Sequence, residues 1–140
     1  MALLEWSPSY ELDVALMDET HREFADLVNQ VGEASDAELV ARFDNLIEHT
    51  VAHFEQENLW MQECGFPPID CHVGEHNRVI QALRSVRSLL LRGDLAIARR
   101  AAEEMSPWFA NHAATMDAAL AFHIKRSGYT PVHLPAKQAA

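Results

Sequence analysis

Cysteine and positive charge are both scarce in this 140-residue sequence. Its two cysteines, Cys64 and Cys71, match neither a Cys-x-x-Cys nor a zinc-ribbon pattern, which argues against a structural zinc site. We expect two free thiols, with a disulfide across the turn between them as the alternative. There are 11 Lys and Arg residues against 21 Asp and Glu residues, so the formal net charge is −10. A charge of this sign argues against nucleic acid or an anionic membrane as a partner.

Long apolar runs are also missing. No stretch approaches the roughly 20 apolar residues that a membrane-spanning helix needs, and the first residues contain no basic segment followed by an apolar one. We therefore predict no signal peptide, no membrane span and a cytoplasmic location. The sequence does contain 49% hydrophobic residues, which is enough for one domain with a buried core.

Apolar residues recur at helical spacing in four segments, which predicts an all-α protein. The predicted helices cover residues 19–33, 36–64, 70–92 and 94–126. The connections between them are short, and this favours an antiparallel up-down-up-down four-helix bundle. Pro107 predicts a kink or a break at 103–107, because a proline inside a helix removes a backbone hydrogen bond and clashes with the preceding turn.

The two ends of the chain are expected to differ from the bundle. Residues 1–17 should form an irregular arm that packs along the helices. Asp18 should be the N-cap of the first helix, with support of a ligand as the alternative. We expect the bundle with its arm to span residues 1–128. Residues 129–140 should form a loose C-terminal tail.

Histidine and glutamate stand one helical turn apart in the middle of the chain. His53 and Glu57 are four residues apart, and so are His72 and His76. Each pair therefore lies on one face of its helix. The Gly-Phe-Pro-Pro turn at 65–68 would fold the two helices antiparallel and bring both pairs into one seam. Buried imidazoles and a carboxylate are costly unless something binds them, and a metal ion is the simplest candidate.

Two more segments add candidate ligands. His21 lies at the start of an amphipathic segment, and His112 and Asp117 lie in the last helix. Five histidines and two carboxylates exceed the needs of one tetrahedral zinc and suit a pair of metal ions that share bridging carboxylates. Their mixture suits iron, manganese or zinc. His112 and Asp117 are about 140° apart on an ideal helix, so we do not expect them in one stripe.

In this order and at these separations, the motifs resemble those of the hemerythrin family, specifically its single-domain bacterial kind, the bacteriohemerythrins. The motifs are Asp18-x-x-His21, His53-x-x-x-Glu57, His72-x-x-x-His76 and His112-x-x-x-x-Asp117. The resemblance runs from about Trp6 to about Phe122. Further residues that look like the family are Phe54, Met61, Gly65, Phe66, Pro67, Glu75 and Trp108.

The resemblance implies two iron ions joined by an oxo or hydroxo bridge. The implied ligands are His72, His76 and His112 on one iron, His21 and His53 on the other, and Glu57 and Asp117 as bridges between them. The iron with two histidines would be five-coordinate, and O2 would bind at its open position. The implied function is reversible O2 binding for storage, delivery or sensing.

Two other functions remain open for the same site. One is a di-iron enzyme with oxidase, peroxidase or nitric-oxide-handling activity, and the other is an iron-holding bundle without gas chemistry. Ferritin-like di-iron sites use Glu-x-x-His motifs, and none occurs here. A site rich in histidine and poor in carboxylate favours binding O2 over activating it, so we expect a protein that is not an enzyme. We also expect a monomer, and the sequence identifies no protein partner.

Several polar residues near the motifs are not expected to be ligands. His49 stands four residues before His53, but we interpret it as a core or neighbouring residue one turn above the site. His123 and His133 should lie on the surface. Asn58 should point away from the face that carries His53.

Thr115 is a candidate for the O2 pocket. By resemblance, Ala113 and Thr115 replace bulkier apolar residues of the family. Thr115 lies three residues after His112, and residues at this spacing share a helix face, so its hydroxyl could reach a bound ligand. The alternative is a hydrogen bond back to the carbonyl of Asn111.

Overall fold

Helices make up most of residues 2–134, the part of the chain that this computed structural model describes. The four long helices are α1 Ala15–Glu33, α2 Leu39–Glu63, α3 Ile69–Leu91 and α4 Leu95–His112. A π-helical turn, Ala113–Asp117, continues α4 into α5, Ala118–Ser127. Helices α1 and α3 each contact both α2 and α4. The predicted all-α four-helix bundle is confirmed, and no strand occurs in the described residues.

Two connections between helices are tight glycine turns. Gly65 follows α2 with φ +65°, and the amide of Phe66 donates to the carbonyl of Met61 at 3.0 Å. Gly93 ends α3 in the same way with φ +99°. This is the Schellman pairing, in which glycine takes a left-handed conformation that other residues reach only with strain. These turns reverse the chain, so that α3 returns along α2 and α4 returns along α3.

Helix α1 begins at Ala15, four residues earlier than predicted, and Asp18 is not its N-cap. Asp18 lies in the first turn and is buried, and its Oδ1 accepts a hydrogen bond from the amide of Leu12 at 2.8 Å. The carboxylate therefore bonds to the arm before the helix and not to the helix itself.

The N-terminal arm is irregular, as predicted, apart from one 3-10 turn at Pro8–Tyr10. Asn29 of α1 holds it through two hydrogen bonds between its side-chain amide and the backbone of Leu4, at 2.8 and 2.9 Å. Tyr10 lies against Phe109 of α4, with ring centroids 5.3 Å apart. The arm therefore contacts both α1 and α4.

Helix α4 runs through Pro107 to His112, so the helix does not break at 103–107, and a kink there stays a prediction. Pro107 is exposed, and the carbonyl that it leaves without a partner can face water. A proline on the solvent side of a helix need not disturb the contacts of the core face. The departure from α geometry comes later, at the π turn.

The apolar core has two parts, one on either side of a polar layer. The larger part includes Phe24, Phe43, Leu46, Phe54, Val79 and Phe109. The smaller part includes Met17, Trp60, Met61, Leu120 and Ile124. Helix α1 passes from one part to the other at His21, and α2 does so at Glu57. None of the helices described above could span a lipid bilayer.

The described part of the predicted C-terminal tail lies against α2. The side chain of Trp60 donates through Nε1 to the carbonyl of Val132 at 2.8 Å, and the amide of Leu134 donates to Oε1 of Gln56 at 3.1 Å. Residues 135–140 of the predicted tail lie outside the described residues. The division into a bundle and a loose tail stays a prediction.

Candidate metal centre

All seven ligands predicted from the sequence lie in the polar layer, and each is 5% exposed or less. Helix α1 contributes His21, α2 His53 and Glu57, α3 His72 and His76, α4 His112, and the π turn Asp117. The pairs on α2 and α3 share a face because their residues are one turn apart on regular helices. The bundle therefore directs seven buried polar side chains from all of its long helices into one place.

The π turn accounts for the spacing of His112 and Asp117. The amide of Ala118 donates to the carbonyl of Ala113, five residues earlier, where a regular α-helix pairs residues four apart. The extra residue rotates Asp117 back toward the face of His112, and Nε2 of His112 lies 3.2 Å from Oδ1 of Asp117. The expectation that these two side chains lie on different faces is wrong, because it assumed regular α geometry.

Glu57 divides its two carboxylate oxygens between two sets of histidines. Oε2 lies 2.6 Å from Nε2 of His53 and 3.3 Å from Nε2 of His21. Oε1 lies 3.1 Å from Nε2 of His76 and 3.6 Å from Nε2 of His72. One oxygen thus faces the histidines of α1 and α2, and the other faces those of α3.

Asp117 repeats this division. Its Oδ2 lies 3.2 Å from Nε2 of His21. Its Oδ1 lies 3.1 Å from Nε2 of His72 and 3.2 Å from Nε2 of His112. Both carboxylates therefore reach both sets of histidines.

These donor atoms form two groups, each of which could hold a metal ion. The groups are Glu57, His72, His76, His112 and Asp117 on one side, and His21, His53 and Glu57 on the other. Within each group the donor atoms lie within 4.8 Å of one another. Two donors that lie about 2.1 Å from an ion, at right angles to each other, are about 3.0 Å apart. Most of the nitrogen–oxygen distances above are close to that value.

Buried atoms without a hydrogen-bond partner converge at the same place. Among the described residues they include Nε2 of His72, His76 and His112, Oε1 of Glu57, and both carboxylate oxygens of Asp117. Each unpaired buried polar group costs about 1–3 kcal/mol. Metal ions bound between these atoms would give all of them a partner. Imidazole nitrogens and carboxylate oxygens together fit first-row transition metal ions such as iron.

The two carboxylates raise the pKa values of the two histidines that they share. Burial alone would lower the pKa of His21, but Asp117 and Glu57 raise it to about 10. The same balance raises the pKa of His72 to about 9. Burial opposes the ionisation of Asp117, but the surrounding histidines hold its pKa well below the usual range. In the absence of a metal, the two carboxylates therefore favour the protonated forms of His21 and His72.

Side chains outside the cluster fix the orientation of the histidine rings. Phe54 stacks on His76 with ring centroids 3.9 Å apart and planes within 5° of each other. Trp108 stacks on His112 at 4.7 Å. Oδ1 of Asn58 lies 2.8 Å from Nδ1 of His76. Asn58 was not predicted as a ligand, and its contact with His76 was not predicted either; the one hint in the sequence is its position next to Glu57.

The remaining histidines lie outside the centre. His49 is half-buried, with Nε2 3.3 Å from the carbonyl of Thr20, which agrees with its interpretation as a neighbouring residue. His133 is exposed, as predicted. His123 was predicted on the surface, but it is half-buried and its Nε2 donates to the carbonyl of Cys64 at 2.8 Å. The two residues are 59 positions apart, so no local pattern indicates this bond.

A polar cavity of about 90 Å³ opens beside His53. His49, Gln56 and Leu134 line it, and the amide of Leu134 donates to Oε1 of Gln56. Of the smaller donor group, only His53 lines this cavity among the described residues.

Thr115 is exposed, and its hydroxyl donates to the carbonyl of Asn111 at 2.7 Å, which is the alternative given for it above. It borders a surface cavity of about 260 Å³ beside His72, which belongs to the larger donor group. A role for Thr115 in an O2 pocket stays a prediction. Its bonded hydroxyl and its place beside the larger donor group, away from the proposed O2 position, argue against that role.

A family model and several known proteins are similar to this chain. The model of the hemerythrin HHE cation binding domain matches residues 12–121. A bacteriohemerythrin of Ralstonia nicotianae is 41% identical over 117 residues, which cover 84% of this chain and 85% of that protein. A myohemerythrin of Sipunculus nudus is 28% identical over 115 residues, which cover 80% of this chain and 86% of that protein.

A solved structure of wild-type hemerythrin is similar to the fold of this chain. The TM-score is 0.73 at 21% sequence identity, and the match covers 84% of this chain and 94% of that one. At this identity the likeness bears on the fold alone, and the shared fold is the four-helix bundle.

Proposed function

Because this chain belongs to the hemerythrin HHE cation binding family, we propose that it is a non-heme di-iron protein that binds O2 reversibly at a five-coordinate iron. Its function would be oxygen storage, delivery or sensing. The observation that carries the proposal is that Glu57 and Asp117 each direct one oxygen to either of two histidine groups. A carboxylate whose two oxygens face two different histidine groups is suited to bridge two metal ions. The family supports a binding protein rather than an enzyme.

The seven buried residues supply the ligands in this proposal. The assignment is His72, His76 and His112 to one iron, His21 and His53 to the other, and Glu57 and Asp117 to the bridge, with an oxo or hydroxo group. The first iron would have three histidine ligands and the second only two, so the second would have one ligand fewer. That iron would keep one position for O2, and one of its ligands, His53, also lines the polar cavity.

Two ferrous ions in this arrangement would supply the electrons that O2 takes up on binding and returns on release. The residues of the chain would set the charge around the two ions and the access of water to them. Glu57 and Asp117 bring two negative charges into the core, which offset the charge of the ions. The apolar layers on both sides, which include Met17 and Phe24, limit the access of water. His21 must lose its proton before its nitrogen can bind a metal.

Several predictions about partners accompany this function. We propose O2 as the ligand of a monomer in the cytoplasm, without a nucleic-acid or membrane partner. The net charge of −10 supports the exclusion of nucleic acid, because a polyanion would be repelled.

Anaerobic loading with ferrous iron tests the proposed function. We expect two irons per chain by metal analysis, and an optical spectrum that changes with O2 and returns when O2 is removed. One iron or none per chain would contradict the di-iron centre. Continuous consumption of O2 or peroxide would favour an enzyme, and no reaction with O2 would favour an iron-holding bundle.

A further inference from the structure

The ring of His76 is held on two sides by residues of α2. Its Nε2 faces Oε1 of Glu57 at 3.1 Å, and its Nδ1 faces Oδ1 of Asn58 at 2.8 Å. When Nε2 binds a metal, Nδ1 carries the proton of the neutral imidazole. The amide oxygen of Asn58 is then the acceptor, because the amide nitrogen would place two donors against each other.

Phe54 and Asn58 fix different properties of the His76 ring. Phe54 stacks on it with planes within 5°, which sets the plane of the ring. The bond to Asn58 sets the direction of the ring within that plane. By contrast, Nδ1 of His21, His53 and His72 has no hydrogen-bond partner among the described residues.

We propose that Asn58 is a positioning residue that sets how strongly His76 donates to its iron and, through this, the reduction potential of the centre. This inference rests on the proposed di-iron function. An acceptor at Nδ1 makes the imidazole a better donor, and a better donor favours the ferric state. A neutral amide oxygen is a weaker acceptor than a carboxylate. Asn58 therefore orients His76 and keeps the reduction potential higher than an aspartate would. The ferrous state, which binds O2, is then easier to reach.

The proposal predicts an order for three proteins with different groups at this position. Asn58→Asp keeps the shape and strengthens the acceptor, so we expect at least a tenfold shift toward the ferric state, or about 59 mV lower for one electron. Asn58→Leu removes the acceptor without adding charge, so its potential should lie above that of the unmodified protein. The leucine variant separates the effect of the hydrogen bond from the direct effect of a nearby charge.

Asn45→Asp is the matched control, because Asn45 is an exposed asparagine on the same helix and gains the same charge. Its potential should equal that of the unmodified protein in anaerobic spectroelectrochemical titrations. Proteins with two irons per chain whose potentials do not follow the order Asp, Asn, Leu would overturn the proposal. So would an Asn58→Asp shift no larger than that of Asn45→Asp.

A measurement without metal tests the hydrogen bond itself. Long-range 1H–15N spectra of the metal-free protein should show His76 protonated at Nδ1, and this preference should be lost in Asn58→Leu and kept in Asn58→Asp. An unchanged His76 spectrum in Asn58→Leu would overturn the proposal even if that variant does not load iron. If the unmodified protein binds no iron, the proposed function fails together with the role in the potential, and iron analysis identifies that outcome.

Discussion

Glu57 and Asp117 share two histidines, because each carboxylate directs one oxygen to His21 and the other to His72. The nitrogen–oxygen distances are 3.3 and 3.6 Å for Glu57 and 3.2 and 3.1 Å for Asp117. Since His21 belongs to α1 and His72 to α3, the two carboxylates connect these helices through the core. The loss of either carboxylate should therefore affect both proposed iron positions.

Replacing Glu57 by Ala should reduce the iron content from two per chain to fewer than one. The change removes a donor from both groups at once, so neither position stays intact. Metal analysis after anaerobic ferrous loading measures the effect. His49→Ala is the matched control, because His49 lies on the same helix, one turn before His53, and should be dispensable for both irons. Equal losses of iron in the two variants would mean that the ligand register on α2 is wrong.

Replacing Thr115 by Val should leave iron content and the rate of autoxidation unchanged. The Thr115 hydroxyl already bonds to the carbonyl of Asn111, and the residue is exposed. Substitutions at such surface positions usually change stability by less than about 0.5 kcal/mol. The decay of the O2-bound spectrum with time measures autoxidation. A clearly slower decay in Thr115→Val would restore the predicted role in the O2 pocket.

The metal-free protein should lose stability between pH 7 and pH 10. The ion pairs with the two carboxylates raise the pKa values of His21 and His72 from 6.5 to about 10 and about 9. Their contribution is fully present below pH 6.5, declines as the pH rises and is lost above about pH 10. Urea unfolding at several pH values measures the change. The iron-loaded protein is the control, because its histidines carry no titrating proton, and an equal decline in both forms would contradict this account.

Truncation after Gly128 should lower the free energy of unfolding by about 1–3 kcal/mol, because it leaves a buried donor unpaired. That donor is Nε1 of Trp60, which bonds to the carbonyl of Val132. Truncation after Leu134 keeps this bond and is the control in the same urea titrations. If both truncated proteins match the stability of the full chain, the prediction of a loose tail over 129–140 holds.

The donor pairs on α2 and α3 could be predicted because both helices are regular. For His53 with Glu57, and for His72 with His76, the four-residue spacing alone decides that the side chains share a face. The apolar residues before and after them then turn that face toward the core. Periodicity was therefore sufficient for these two helices.

Asp117 and Asn58 show where periodicity is not sufficient. The π turn depends on a pattern of backbone hydrogen bonds that its small and polar residues do not specify, and the five-residue spacing was the one hint. Asn58 contacts His76, which is 18 residues away on another helix. Whether Asn58 faces that helix or solvent follows from how α2 and α3 pack, which its position next to Glu57 does not decide.

Because of the π turn, the helical segment from α4 to α5 contains one residue more than a regular α-helix over the same length would. Leu120 and Ile124 follow His112 by eight and twelve residues, and with one residue set aside these become seven and eleven, or about two and three whole turns. Deletion of Ala114, which is exposed, should therefore leave α5 facing the core, with an unfolding midpoint no lower than before. Insertion of a second alanine there should rotate α5 by about 100° and expose its apolar face. The bundle should therefore stay stable when one residue is removed from the π turn and lose stability when one is added.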